Sequence, residues 1–229
     1  MGSELPSERF FVLEEGVLGS RYDTDVETVE PIHREEGVHC PRCGVGIGMR
    51  TWLPPYRCDL LLHGEELGDF LHGSGDDLLV SERFAQAFRE EGLTGLDGFH
   101  PVDVRRVRGK RRGSKSVDVP RYVFVKACFG RGALDFRRSR LRFSEPPSCP
   151  ECLSVHLDAL HGFSLEPGTW RGEDIFRPRG LHGWLLVSER FARFVERRGF
   201  THLRLTPSEE YLWDPSAPHP WPGTKPGSG

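Results

Sequence analysis

The sequence predicts an α+β fold made of two tandem homologous units, each with short helices packed on antiparallel strands. Three observations carry that expectation. The string Leu-Leu-Val-Ser-Glu-Arg-Phe runs from Leu78 to Phe84 and again from Leu185 to Phe191, an offset of 107. At the same offset Ala85 answers Ala192, Gly92 answers Gly199 and Leu96 answers Leu203. Upstream, Cys40-Pro41-Arg42-Cys43 answers Cys149-Pro150-Glu151-Cys152, and Arg9-Phe10-Phe11-Val12 is similar in character to Arg121-Tyr122-Val123-Phe124. Self-similarity of this kind marks a duplicated structural unit. The expected organisation is a first unit at 8–103, a basic linker at 104–119, a second unit at 120–213 and a Pro/Gly-rich disordered tail at 214–229.

Each unit is expected to open with an apolar, aromatic strand and to pass through its Cys-Pro-x-Cys turn. A variable stretch follows. Leu-Leu-Val then reads as a short buried strand, Ser81 or Ser188 as an N-cap, and Glu82 or Glu189 as favourable negative charge in a first helical turn. Phe84, Ala87 and Phe88 fall at i, i+3 and i+4, as do Phe191, Phe194 and Val195, so each helix has one apolar stripe to bury. Gly92 and Gly199 suit the C-terminal caps. The segments Leu93 to Val104 and Phe200 to Leu205 have the mixed β-branched and apolar character of returning strands. Between the units, Arg105 to Lys115 holds seven basic residues and no acid, which reads as an exposed linker or hairpin tip. The last sixteen residues contain five prolines.

Composition narrows the function classes. The 229 residues are 37% hydrophobic before 27 glycines are counted, enough for a buried core, and 27 glycines with 18 prolines imply many turns. A net charge of −3 argues against a nucleic-acid polycation. No window approaches the roughly 18 consecutive apolar residues of a membrane span, so no membrane partner is expected. The N-terminus lacks a basic and then apolar signal pattern, and Pro6 stands where myristoylation wants Ser or Thr, which makes cytoplasmic residence the expectation.

The cysteines are the strongest chemical signal. Six in a chain this long are sparse for a disulfide scaffold, and a paired spacing in a reducing compartment reads as metal or redox chemistry. Two thiolates two residues apart can grip one tetrahedral Zn²⁺ from a tight knuckle, but a structural site needs four. Cys40, Cys43, Cys149 and Cys152 are therefore expected to complete one shared zinc site, closing a loop whose unfolded-chain entropy is worth about 4 kcal/mol. Gly44 suits the turn after the first pair, whereas Leu153 follows the second. A closed four-ligand site leaves no position for water, which disfavours Lewis-acid catalysis. His39 and His156 lie close enough in sequence to substitute as ligands but read as exposed. Cys58 and Cys128 read as buried apolar residues.

Thiol–disulfide exchange is the rival chemistry. It wants the first cysteine at a helix N-terminus. Gly44, Gly46 and Gly48 oppose a helix after Cys43, while Leu153 to Leu160 can be helical. Other catalytic patterns fail on inspection. In Gly109 to Ser116, Ser114 separates Gly113 from Lys115, which breaks a phosphate loop, and Gly44, Gly46 and Gly48 do not match a dinucleotide fingerprint. Asp69-Phe70 and Asp174-Ile175-Phe176 recur ahead of the repeated string, where they read as functional residues or, in preference, as capping and core residues.

Two Cys-Pro-x-Cys motifs, each followed by the Leu-Val-Ser-Glu-Arg-Phe segment and a Gly-terminated helix, resemble the myxobacterial double-CxxCG motif family, which includes immunity proteins of swarming-inhibition toxin systems. The likeness spans about residues 8–213 and departs at Leu153. It implies a cytoplasmic protein without catalytic activity whose partner is a cognate protein toxin delivered by neighbouring cells. Residues 1–36 carry ten acids against Arg9, Arg21 and Arg34, a charge that can steer a basic partner. The competing reading is a zinc-ribbon-like nucleic-acid-binding protein using Arg105 to Lys115 with Arg137, Arg138, Arg140 and Arg142 on phosphates.

Overall fold

The structure, a computed structural model, describes residues 8–109 and 118–216. Lys110, Arg111, Arg112 and Lys115 of the expected linker, and residues 217–229 of the expected tail, lie outside the described residues.

In the first half the strands are β1 (Phe10–Glu15), β2 (Thr24–Thr28), β3 (His33–Arg34), β4 (Trp52–Leu53), β5 (Arg57–Leu62), β6 (Phe70–His72) and β7 (Leu78–Ser81). Helix α1 (Glu82–Glu90) follows, then β8 (Leu96–Pro101) and β9 (Asp103–Gly109). The second half has β10 (Tyr122–Ala133), β11 (Leu141–Phe143), β12 (Leu157–His161), β13 (Ile175–Arg179) and β14 (Leu185–Ser188). Helix α2 (Glu189–Arg198), β15 (Leu203–Pro207) and β16 (Leu212–Trp213) complete it.

The fold is thus mostly β, with two helices of 9 and 10 residues, in place of the expected balance of helix and sheet. The reason is in the sequence period. Only the two Ser-Glu-Arg-Phe segments carry a helical stripe, whereas Arg57–Leu62 alternates half-buried and buried side chains with the period of two that a strand requires. The basic stretch contributes as well, since Asp103–Gly109 pairs in parallel with β5.

The halves are also not two separate bodies in tandem. β1 pairs antiparallel with β14 and β15, both from the second half, in the register Phe10↔Ser188 and Phe11↔Pro207. In the same manner β10 pairs with β7 and β8 of the first half, with Tyr122↔Ser81 and Val123↔Pro101. Each half gives its first strand to the other half's repeated Leu-Leu-Val-Ser strand. The main sheet therefore runs β15-β1-β14-β13-β10-β7-β6, with β8 alongside β10.

The apolar stripes of the two helices meet in one core. Phe84, Phe88, Phe191, Phe194 and Phe200 are buried together with Leu78, Val80, Leu185 and Val187. Phe84 lies edge-on to Phe194 with ring centroids 5.7 Å apart, and Phe194 lies 5.1 Å from Phe200. Such aromatic pairs add roughly 0.5–1.5 kcal/mol each beyond burial.

Helix starts follow the expected chemistry and extend it across the halves. Ser81 Oγ accepts the Phe84 amide at 3.1 Å and donates to Asp69 Oδ1 at 2.6 Å. Ser188 Oγ accepts the Phe191 amide at 3.2 Å and donates to Asp174 Oδ1 at 2.8 Å. The second oxygen of each aspartate reaches an arginine of the adjoining helix, Arg83 or Arg190. It also reaches the opposite half. Asp69 Oδ2 accepts from the amide and hydroxyl of Thr201 at 3.0 Å, and Asp174 Oδ2 accepts from the Thr94 amide at 3.0 Å. Both carboxylates are buried, so their removal strands several donors.

Replacing either aspartate by alanine is expected to cost about 3 kcal/mol in urea denaturation, against about 0.5 kcal/mol for Glu66→Ala in the exposed Arg21–Glu66 pair. Equal losses from all three variants would contradict the assignment of Asp69 and Asp174 as ties between the halves.

Candidate metal centre

The first knuckle is a tight turn between β3 and β4. The Cys40 amide donates to the Val45 carbonyl at 2.8 Å, the Gly44 amide donates back to the Cys40 carbonyl at 2.9 Å, and the Ile47 amide donates to Val38. Gly44 closes the turn at φ +74, a left-handed conformation that suits a residue without Cβ.

The second knuckle repeats this geometry. The Leu153 amide donates to the Cys149 carbonyl at 2.9 Å, and Leu153 takes φ +56 despite its side chain. A non-glycine residue there costs roughly 1–2 kcal/mol. Neighbouring strands hold it in place: the Arg179 guanidinium donates to the Pro150 and Glu151 carbonyls, the Gly180 amide donates to Cys152, and Arg131 pairs with Glu151 at 2.7 Å. These supports were not legible in the sequence, because Arg179 and Gly180 reach the turn only through the β10–β13 pairing.

The two turns converge. The four sulfurs of Cys40, Cys43, Cys149 and Cys152 all lie within 4.8 Å of one another. Cys40 Sγ is 3.9 Å from Cys149 Sγ, and Cys43 Sγ is 3.7 Å from Cys152 Sγ, each pair joining the two halves. Four ligands at Zn–S distances of about 2.3 Å from a tetrahedral centre would stand about 3.8 Å apart. The cluster can hold a metal ion. Cys40, Cys149 and Cys152 are buried, with Ile47 against them, and Cys43 is exposed. Neither His39 nor His156 belongs to the cluster.

Backbone dipoles prepare the sulfurs. The Cys152 and Glu151 amides pull the Cys149 thiol down to about 6, and the Cys43 and Arg42 amides likewise lower Cys40. At Cys43 the Val45 amide also pulls downward, but desolvation and the adjacent sulfurs outweigh it and push the thiol up to about 12. Cys58, sealed in the core with Trp52 and Leu60, is raised by burial to about 12, in keeping with its apolar role; Cys128, expected to be buried as well, is half-buried at the edge of a second core, and burial raises it to about 11.

Other candidates resolve differently. Neither Cys-Pro-x-Cys turn opens a helix, and the run after Cys152 that could be helical leads into β12, so the lowering at Cys149 comes from turn amides and not from a helix N-terminus. Asp69 and Asp174 cap and tie helices. Part of each charged stretch is matched by acids among the described residues: Arg108 pairs with Glu27 and Asp59, Arg105 with Asp103, Arg138 with Asp135, and Arg142 with Asp214. On the acidic side Glu14 pairs with Arg204 and Glu35 with Lys126. Among the described residues no helix is long and apolar enough to cross a membrane. Searched against protein-family models the chain matches none, and against curated proteins it finds no significant match.

A Cβ at Gly44 would meet nothing within 4 Å, so Gly44→Ala tests backbone strain alone. It is expected to lower stability by about 1 kcal/mol, whereas Gly46→Ala, equally open but outside the left-handed region, leaves the urea midpoint unchanged or slightly raised.

Proposed function

We propose that the protein is a zinc-braced binding protein, without enzymatic activity, that acts as an immunity protein: it captures and neutralises a cognate toxin delivered by neighbouring bacterial cells. The observation that supports a bracing role is the origin of the four sulfurs, two from each half, at the separations of a closed tetrahedral site. Four protein ligands satisfy such an ion completely, so its contribution is to hold the halves together. A tetrahedral set of four thiolates suits zinc or iron, and zinc, which is redox-inert, fits a purely architectural task. A reducing cytoplasm keeps such thiols available for metal.

The immunity role rests on the likeness to the double-CxxCG motif family in the order and duplication of the Cys-Pro-x-Cys and Leu-Val-Ser-Glu-Arg-Phe segments. Leu153, the point where the sequence departs from that pattern, adopts the same left-handed turn as Gly44, so the departure does not alter the knuckle. Ion pairing within the Arg105–Arg108 and Arg138–Arg142 stretches leaves fewer free cations for phosphates than the sequence suggests, which weighs against the nucleic-acid reading.

Protein purified without a metal-affinity column is expected to carry one zinc per chain and to be colourless; bound iron would give visible absorption. Cys149→Ser should lower the zinc content at least tenfold, and chelation should cost stability on the order of the 4 kcal/mol of loop entropy. Acidification should release the ion, because protons compete for the sulfurs. The immunity reading is tested by co-expression with the toxin encoded beside this gene: restored growth is the expected result, and survival unchanged by this protein overturns it.

A further inference from the structure

The duplicated halves differ in how the strand after each helix meets it. In the first half β8 contains an extra residue, Phe99, at φ +51, where the pairing of β8 with β10 slips between Phe124 and Val125. This is a β-bulge, which re-aims a side chain. The Phe99 ring packs on Phe88 of α1, centroids 6.0 Å apart, and the Arg89 guanidinium lies over it at 4.2 Å from the centroid. The groove between α1 and its sheet is therefore filled by the chain's own aromatic ring beneath a cation.

The second half has no such plug. The pairing of β1 with β15 runs from Glu15↔Leu203 to Phe11↔Pro207 without a slip, so no residue corresponds to Phe99. Val195 stands where the first half has Phe88, and Glu196 where it has Arg89. What remains is an open groove of about 510 Å³, walled by Phe11, Ala192, Val195, Phe200, Leu203 and Leu205 and rimmed by Glu189, Arg193 and Glu196. Arg193 is engaged with Glu189 at 2.9 Å. Among the described residues Glu196 makes no ion pair.

We propose that this groove binds the protein partner by accepting an aromatic side chain flanked by a lysine or arginine, supplying from outside the ring and cation that Phe99 and Arg89 supply from within the first half. This rests on the reading of the chain as a protein-binding protein and adds where and by what chemistry it binds. Apolar walls provide the area for a ring, and the acid at the place of Arg89 sets the sign of the charge beside it.

The test uses the zinc-loaded, isotope-labelled full chain and three synthetic peptides, Gly-Lys-Phe-Lys-Gly, Gly-Glu-Phe-Glu-Gly and Gly-Lys-Ala-Lys-Gly, each capped at both ends. Amide shifts are followed to millimolar peptide. The expected result is saturating shifts at Val195, Glu196, Leu203 and Leu205 with the first peptide, about three- to fivefold weaker binding of the second, and loss of binding with the third. Glu196→Arg, a change at an exposed position, should reverse the preference between the first two while retaining zinc. Absence of groove shifts, or equal shifts from all three peptides, overturns the proposal. So does a groove that shifts on deleting Met1 to Ser7, which would make that segment the occupant, or on raising protein concentration alone, which would make it a second copy. Peptide binding without protection in co-expression would reject the immunity reading and keep the groove, and protection without peptide binding would do the reverse.

Discussion

The pairing of each half's first strand with the other half's Leu-Leu-Val-Ser strand is the constraint on which the remaining structure depends. Because β1 lies between β14 and β15, and β10 beside β7 and β8, neither half has a complete sheet of its own. Both helices then cover a sheet built jointly, and their phenylalanines meet at 5.7 to 6.2 Å across the boundary between halves. The pairing also requires contacts of very long sequence separation, as between Phe10 and Ser188. Closing such loops costs entropy before the contacts return any stability. That cost is what the other ties between the halves offset.

Those ties come in two chemical kinds. Asp69 and Asp174 each bind a serine cap and an arginine of their own half and a threonine of the other. A buried carboxylate is unfavourable alone, so it fixes geometry only when every oxygen is matched, as it is here. The sulfur cluster works by a different route. It crosses the halves through Cys40 with Cys149 and Cys43 with Cys152, and its backbone amides favour thiolate at Cys149 and Cys40 before any ion arrives. A dication among these sulfurs would favour the thiolate at Cys43 against the desolvation and neighbouring sulfurs that raise it.

Much of this was legible because duplication exposes the local rules twice. The serine caps and the apolar stripes of α1 and α2 follow from short-range spacing, and the convergence of four cysteines from the four ligands that a structural site needs when each half supplies two. The exchange of first strands was not legible, since pairing β1 with β7 or with β14 satisfies the same residue types: Ser81 and Ser188 end identical strings. The β content was underestimated for a related reason. Strands such as Trp52–Leu53 and Leu141–Phe143 are too short to show a period, and only their partners define them. Arg179 and Arg131, which steady the second knuckle, likewise depend on tertiary placement.

The comparison of the halves separates what the fold needs from what it leaves free. Residues repeated without change, Leu-Leu-Val-Ser-Glu-Arg-Phe and the paired cysteines, build the sheet, start the helices and gather the sulfurs. Substituted positions lie where the backbone tolerates them: Leu153 for Gly44 in a turn held by Arg179, Val195 for Phe88 and Glu196 for Arg89 on a helix face. A ring that plugs one groove and is missing from its twin cannot be explained by the needs of the shared sheet, because both sheets form. The unplugged groove exposes part of Phe11, Leu203 and Leu205, a hydration cost that the bulge at Phe99 avoids in the first half. An apolar wall edged by an acid that makes no ion pair among the described residues is the kind of surface that gains most from a partner, and through Val195 and Phe200 it borders the shared aromatic core.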